Sequence, residues 1–438
     1  MRTDDGAFDA LLKRLAKGAS LAFVINVAAV GLGFAAQLIL ARGLGAVDYG
    51  LFAYVVAWVT VLALITRLGF PTSVLRFLPP YRRQQKGAAA RGLLRFAQSA
   101  SLLCSFGAAI LGLALIVVIH DRLTAGLATV FAIGLAALPV IALLPIHCAA
   151  LRAFDRVTLA LVPDRLVPQA VLVVAVGACL ILLPERLDAT SAMVFRLLGF
   201  CVALAIVILP LIRLARGPGG ESDVAMDDKP LWIAATRSLV VLAALQAVRR
   251  HADVLLIGML LDTTEAGIFR ISAYVASLVA FPLGAINTVF APVISTHYAE
   301  KEIDRLQKIV TRTARWSLGS ALLIALPLLV APAWTLGWFG EAFQSGAAVL
   351  VILVLAQLVN AAIGSVTFLM TMTGHEREAT FVFAASAAAS VALTIILVPM
   401  FGIIGAAVAT AFGLVSWNLA LAIFVRRRLG VTPSIFGA

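Results

Sequence analysis

The stretch GASLAFVINVAAVGLGFAAQLILA, residues 18–41, runs for 24 residues without one charge. A bilayer's hydrocarbon core takes ~20 apolar residues per helical span, so this run is long enough to cross, and it is too long for the apolar part of a cleaved secretion signal. The residues before it mix Asp4, Asp5 and Asp9 with Lys13, Arg14 and Lys17, a solvated start, so the first span is expected to stay in place. Outward from it the pattern recurs, with apolar blocks near 50–70, 92–119, 124–146, 164–183, 192–213, 231–261, 266–290, 314–338, 345–373, 378–399 and 402–426. With 18–42 these make twelve, and twelve spans use roughly 240 positions of the 438. Composition agrees: 62% hydrophobic, 13% charged and a mean hydropathy of +1.05 exclude a soluble multidomain chain. Little is left for a soluble catalytic domain. The formal charge of +12 has no soluble face on which to cluster, so no nucleic-acid partner is expected.

The one stretch that is poor in apolar residues and rich in Gly, Pro and acids is GPGGESDVAMDD, residues 217–228. It divides the blocks six and six: an N-terminal lobe 1–215, a cytoplasmic linker 216–230 and a C-terminal lobe 231–438. Of the 34 Lys and Arg, 24 fall on the N-terminus and alternate loops, and only Arg42, Arg122 and Arg186 on the opposite loops. Both termini are therefore expected in the cytoplasm. DYGLFAYVVA (48–57) and EAGIFRISAY (265–274) align at an offset of 217, which also superposes Tyr81 on Tyr298 and Arg95 on Arg312. An even number of spans per half gives both repeats one orientation, related by an axis along the membrane normal. The expected fold class is an all-α integral membrane protein: twelve transmembrane helices in two pseudo-twofold-related six-helix lobes around a central cavity.

Basic amphipathic segments, Tyr81–Phe96 and Tyr298–Trp316, are expected along the cytoplasmic interface, where membrane lipid is a partner. Pro282, Pro292, Pro327 and Pro332 suggest kinked helices, and Gly405, Ala409 and Gly413 form a packing stripe spaced by four. The four cysteines stand alone in apolar stretches, so no metal site is expected. There is no phosphate-cradling GxxxxGK[ST] loop, which argues against ATP-driven transport, and the outer loops are too short for an external catalytic domain. A transporter without enzymatic activity or cofactor is the better reading.

The costliest residues sit in the seventh block: Arg249, Arg250, His251 and Asp253. Each central Arg costs ~2.5–3.5 kcal/mol unless it meets water, a partner or a ligand. Asp253, at helical spacing from both, offsets one of the two charges. The functional reading is a hydrated cationic cavity; the alternative is a break in the span with snorkelling cations. Arg67 and Arg270, with Arg76 and Arg237, lie nearer span ends. Guanidinium suits phosphate, because it pairs bidentately and keeps its charge. At similar depths Asn26, Gln37, Asn287 and Asn360, with Gln246 and Gln357, could hydrogen-bond sugar hydroxyls or simply join helices. Asp253 and His251 are the candidates for coupling to H⁺ or Na⁺; membrane potential alone is the other drive.

Five strings, ILARGLGAVDYGLFAYV (39–55), ADVLLIGMLLDTTEAGIF (252–269), FPLGAINTVFAPVIS (281–295), MTGH (372–375) and VPMFGIIGAAVAT (398–410), resemble in their order and spacing the multidrug, oligosaccharidyl-lipid and polysaccharide exporter superfamily. The polysaccharide transporter branch, with its Wzx-type O-antigen flippases, is the nearest in character. The resemblance implies a flippase in the bacterial inner membrane. Its cargo would be a polyprenyl-pyrophosphate-linked oligosaccharide, an O-antigen, capsule or exopolysaccharide repeat unit, with a polysaccharide polymerase as candidate partner. Asp253, Gly258 and Gly267 fall on positions associated with the family. Two rivals stand beside this reading: a multidrug cation antiporter of the same superfamily, which needs acids in its cavity, and a membrane-embedded polysaccharide polymerase or ligase.

Overall fold

The computed structural model describes residues 4–119, 121, 124–216, 224–300 and 302–436, and among them it is helical throughout, with no strand. In chain order the helices are α1 Asp4–Thr66, α2 Phe70–Arg83, α3 Gly87–Val118, α4 Ala125–Ala136, α5 Leu138–Ala153, α6 Val157–Arg165, α7 Val167–Leu182 and α8 Ala189–Arg216. They continue as α9 Lys229–Leu260, α10 Thr263–Ser277, α11 Phe281–Ala299, α12 Ile303–Val330, α13 Pro332–Gly337, α14 Ala347–Ile363, α15 Val366–Met372 and α16 Glu376–Leu429. Nine helical stretches among the described residues are long and apolar enough to cross a membrane. Two of them hold two sequence blocks each: α1 is broken at Gly45 (φ 69°) and α16 at Gly402 (φ 60°). Both conformations are open to glycine and strained for any other residue. Large apolar side chains stand exposed on the helix surfaces, with Val118 at 79%, Ile181 at 82% and Leu323 at 79%. Water does not favour such surfaces; lipid does.

The chain divides into two compact units, one of Met1–Leu44 with Val55–His251, the other of Gly45–Tyr54 with Ala252–Ala438. In the first, α5 is buried along nearly its whole length, and Phe70, Val74 and Leu78 of α2, Leu93 of α3 and Val207 of α8 pack into one core with its Leu144, Ile146 and Leu151. Trp232 of α9, fully buried, belongs to the same core. Its Nε1 donates to Tyr81 Oη at 2.9 Å, and Tyr81 donates in turn to Asp228 at 2.7 Å. Ala225 N–H reaches the Ala88 carbonyl at 3.1 Å, so the end of the expected linker is docked on α3, while 217–223 lie outside the described residues, as does Arg122. In the second unit Leu306, Val310, Leu369, Met370, Leu421 and Val425 form the core. Val431 joins it beyond α16.

Several local expectations change. Pro332 stands in the first turn of α13, where a missing N–H costs nothing, so it starts a helix instead of kinking one, whereas Pro282 follows the 3-10 turn Leu278–Ala280 that interrupts the single helical stretch Thr263–Asn287, the place of a kink-forming proline. Pro327 lies in the last turn of α12. The two basic segments span helix junctions: Tyr81–Phe96 is the end of α2, a turn and the start of α3, and Tyr298–Trp316 runs from the end of α11 into α12. The small-residue stripe is a seam inside α16, where Ser390 Oγ donates to the Ala409 carbonyl at 2.9 Å and a Cβ on Gly405 would lie 2.3 Å from the Leu397 carbonyl oxygen.

Candidate functional site

In the first unit, Arg67 occupies the turn that ends α1, and its Nε donates to the Ala63 carbonyl at 3.2 Å. That bond satisfies one of the guanidinium's donors. Two charged groups act on it: the Asp164 carboxylate of α6 and the Arg250 guanidinium of α9. Asp164 also stands 3.6 Å from Arg165. Arg250 is exposed, whereas His251 is half-buried and engaged with other groups. The side chains of Arg249 and Gln246 lie outside the described residues. Asn26 is exposed on α1, and Gln37 is half-buried and engaged. The structure thus brings two of the expected guanidiniums, Arg67 and Arg250, within electrostatic reach of each other, with Asp164 acting on Arg67.

Asp164 was not among the expected site residues. The fifth apolar stretch is longer than hydropathy alone suggests, Val157–Leu182, and is divided at Leu166 where Pro168 opens α7. This break puts Asp164 inside a span-length segment. The signal was present in VPDRLVP, residues 162–168, where prolines flank an acid and a base. A second polar contact in this unit is also absent from the expected set: His147, buried on α5, meets Gln98 of α3 through Nε2 at 3.2 Å and the Leu143 carbonyl through Nδ1 at 2.9 Å. A donor is needed at Nδ1 and an acceptor at Nε2, the pattern of a neutral imidazole.

In the second unit, Arg270 of α10 lies in the electrostatic reach of Tyr49 and Tyr274. Asp253 is half-buried and engaged. Asn287 of α11 accepts from Ser365 Oγ, and Asn360 of α14 donates to Gln357 at 3.3 Å. All four polar residues gather at a break between α14 and α15, where Gly364 takes φ 81° and its N–H returns to the Asn360 carbonyl at 3.1 Å. Broken helices of this kind place polar backbone and amide groups at membrane depth, where only a lined cavity or protein tolerates them.

One group of possible metal ligands occurs among the described residues: His297, Glu300 and Glu302, whose ligand atoms lie within 4.8 Å of one another. Glu302 is already engaged, by His297 at 2.9 Å and by Arg305 at 2.8 and 3.1 Å. Desolvation raises its pKa, and the bonds from His297 and Arg305 outweigh that, leaving it below the ordinary carboxylate value. The group is an ion-pair junction between α11 and α12.

The sequence profile of the family described as "Polysaccharide biosynthesis protein" matches residues 15–297. No curated protein matches the chain. Among solved structures, a multidrug resistance MATE family transporter of the MOP superfamily, inward-facing, is similar at a TM-score of 0.74 and 12% identity, over 92% of this chain and 94% of that one. The lipid II flippase MurJ in an inward closed conformation gives 0.71 and 15% identity over 93% and 87%. A MOP superfamily transporter from Pyrococcus furiosus, described as having a binding pocket of reverse polarity, gives 0.62 and 12% over 95% of both chains. At such identities the likeness is one of fold, that of a multi-pass all-α membrane transporter.

Proposed function

Because the chain belongs to the polysaccharide biosynthesis protein family, we propose that this membrane transporter flips a polyprenyl-pyrophosphate-linked oligosaccharide, by alternating access, across the bacterial inner membrane with both termini in the cytoplasm. The observation that carries the reading is the position of Arg67, part-buried and within electrostatic reach of both the Arg250 guanidinium and the Asp164 carboxylate. With Arg165 already 3.6 Å from Asp164, the Arg67 and Arg250 guanidiniums leave positive charge to be met by a ligand, and a pyrophosphate meets it with bidentate hydrogen bonds. Arg249 and Arg270 are further cations for the same cargo, while Asn26, Gln37, Asn287 and Asn360 are the amides for its sugars. With the cell interior negative, outward movement of each anionic charge is favoured by ~2.3 kcal/mol per 100 mV, so potential alone suffices as the drive. Asp253 and His251 are the groups to examine for ion coupling. A polysaccharide polymerase would consume the exported repeat unit.

The test is leaflet-resolved analysis of lipid-linked repeat units in cells carrying Arg67→Ala with Arg250→Ala. The expected result is their accumulation on the cytoplasmic side at unchanged protein abundance, with Arg→Lys at both sites giving a partial defect. Normal export in the double variant removes these groups from the mechanism. Resistance to cationic dyes on overexpression would instead assign the chain to the multidrug antiporters, with Asp164 and Asp253 as its acids.

A further inference from the structure

A second cationic site lies in the first unit, at the ends of α2 and α5. A cavity of about 340 Å³ is lined by Arg82, Arg83 and Arg152, with Asp155, Ala153, Leu75 and Pro79. Arg82 is built into its wall: it donates to the Ala153 carbonyl and to Asp155 Oδ2 at 3.2 Å, and it stacks on Phe154 at 4.9 Å. These contacts fix the plane of the guanidinium before any ligand arrives, which lowers the entropy cost of binding. Arg152 is tied to its own helix through Nε and the Cys148 carbonyl at 3.4 Å. Asp155 holds a left-handed conformation, φ 61°, at the turn that brings its carboxylate back to Arg82.

Charge decides what the cavity suits. Three guanidiniums face one carboxylate and the carbonyl ends of two helices, each equivalent to about half a negative charge. About one positive charge is left. A singly charged phosphodiester balances it, whereas a dianion would overshoot. The remaining lining is apolar and runs along one helix: Leu75, part-exposed, lies one turn before Pro79 on α2. The cavity therefore joins an anion-binding end to an apolar strip on α2.

We propose that this cavity binds the phosphodiester headgroup of an anionic glycerophospholipid, with the start of an acyl chain along Leu75 and Pro79. It is a lipid site separate from the Arg67–Arg250 cluster, and it stands whether or not the flippase reading does.

The experiment titrates the full-length protein in detergent with phosphatidylglycerol, phosphatidylcholine or inorganic phosphate and follows thermal protection. Wild-type protein should be protected by phosphatidylglycerol and not by phosphatidylcholine. Arg83→Gln with Arg152→Gln should bind phosphatidylglycerol about thirtyfold more weakly, since each cation near an anionic lipid contributes ~1 kcal/mol. Lys308→Gln with Arg377→Gln, an equal charge loss on exposed residues of the other unit, should leave the affinity near wild type. Protection by phosphate alone with the same dependence on Arg83 and Arg152 would support the site and assign it to a free phosphate ester. Equal weakening in both double variants, or none in the first, would overturn it. If the first double variant does not fold, Arg83→Gln alone, a change at an exposed side chain, carries the test with about a fivefold loss expected.

Discussion

The two copies of the internal repeat solve one problem in two ways. At the head of the first, α1 turns at Gly45 with φ 69° and ψ 178°, a backbone state that only glycine enters without strain. Its counterpart at offset 217 is Asp262, extended at φ −153°, whose side chain accepts from the Glu265 N–H at 2.9 Å and caps α10. One copy turns by backbone freedom, the other by a side-chain cap. Five residues on, the copies agree: Gly50 and Gly267 are counterparts, and they touch. A Cβ on Gly267 would lie 2.6 Å from Gly50 Cα, and one on Gly50 would lie 2.1 Å from the Thr263 carbonyl oxygen. With Ala46 and Thr263 one turn earlier, both helices carry a small-xxx-small pair at the crossing. The ends of the two segments differ, while their contact leaves no room for a side chain.

The next turn also differs. Lys86 N–H returns to the Tyr81 carbonyl at 2.9 Å, and Glu302 N–H to the His297 carbonyl at 3.0 Å, the same five-residue closure displaced by one position. Only the second copy adds the junction of His297, Glu302 and Arg305; the first has Pro80, Gln85 and Ala88 at those offsets.

The comparison breaks hardest at the contact of Gly50 with Gly267. Gly50→Leu sets a side chain against backbone that cannot move aside, and a loss of ~3 kcal/mol or more is expected, read as the disappearance of monodisperse folded protein on size exclusion. Next comes Gly45→Ala, where the positive φ costs about 2 kcal/mol and lowers the melting temperature without changing the elution profile. Asp262→Ala removes a cap worth about 1 kcal/mol, while Asp262→Gly costs a few tenths, because glycine is itself an acceptable N-cap. Gly45→Asp should be worse than Asp262→Gly; equal melting temperatures for that reciprocal pair would show that the two turns are interchangeable. The smallest effect is at Glu302→Gln. The depressed carboxyl pKa means its contribution is present above the unfolded-state value and is lost as pH falls through the folded one. Melting curves of wild type and Glu302→Gln should therefore differ at neutral pH and converge in acid.

Much of the site was open to sequence reading only in part. Arg67, Arg250 and Arg270 stand out because a charge in an apolar run is costly wherever its partner lies. Asp164 escaped because a hydropathy window closed on the proline-flanked turn that holds it, and its partner Arg67 is nearly a hundred residues away. The same limit applies to Tyr81, Asp228 and Trp232, a chain of hydrogen bonds between residues about 150 apart. The docking of residues after the linker onto α3 carries no local mark.

What the sequence determined by itself is the solvent: apolar runs of span length, their alternating flanks of Arg and Lys, and a repeat at offset 217 each follow from local composition. Transfer into lipid adds up residue by residue, so a window can read it. What only the tertiary structure decided is pairing: Gly50 against Gly267, Arg67 beside Asp164 and Arg250, and the three guanidiniums around one cavity. Pair energies depend on distance and direction between residues far apart in the chain, and no sum over neighbours contains them.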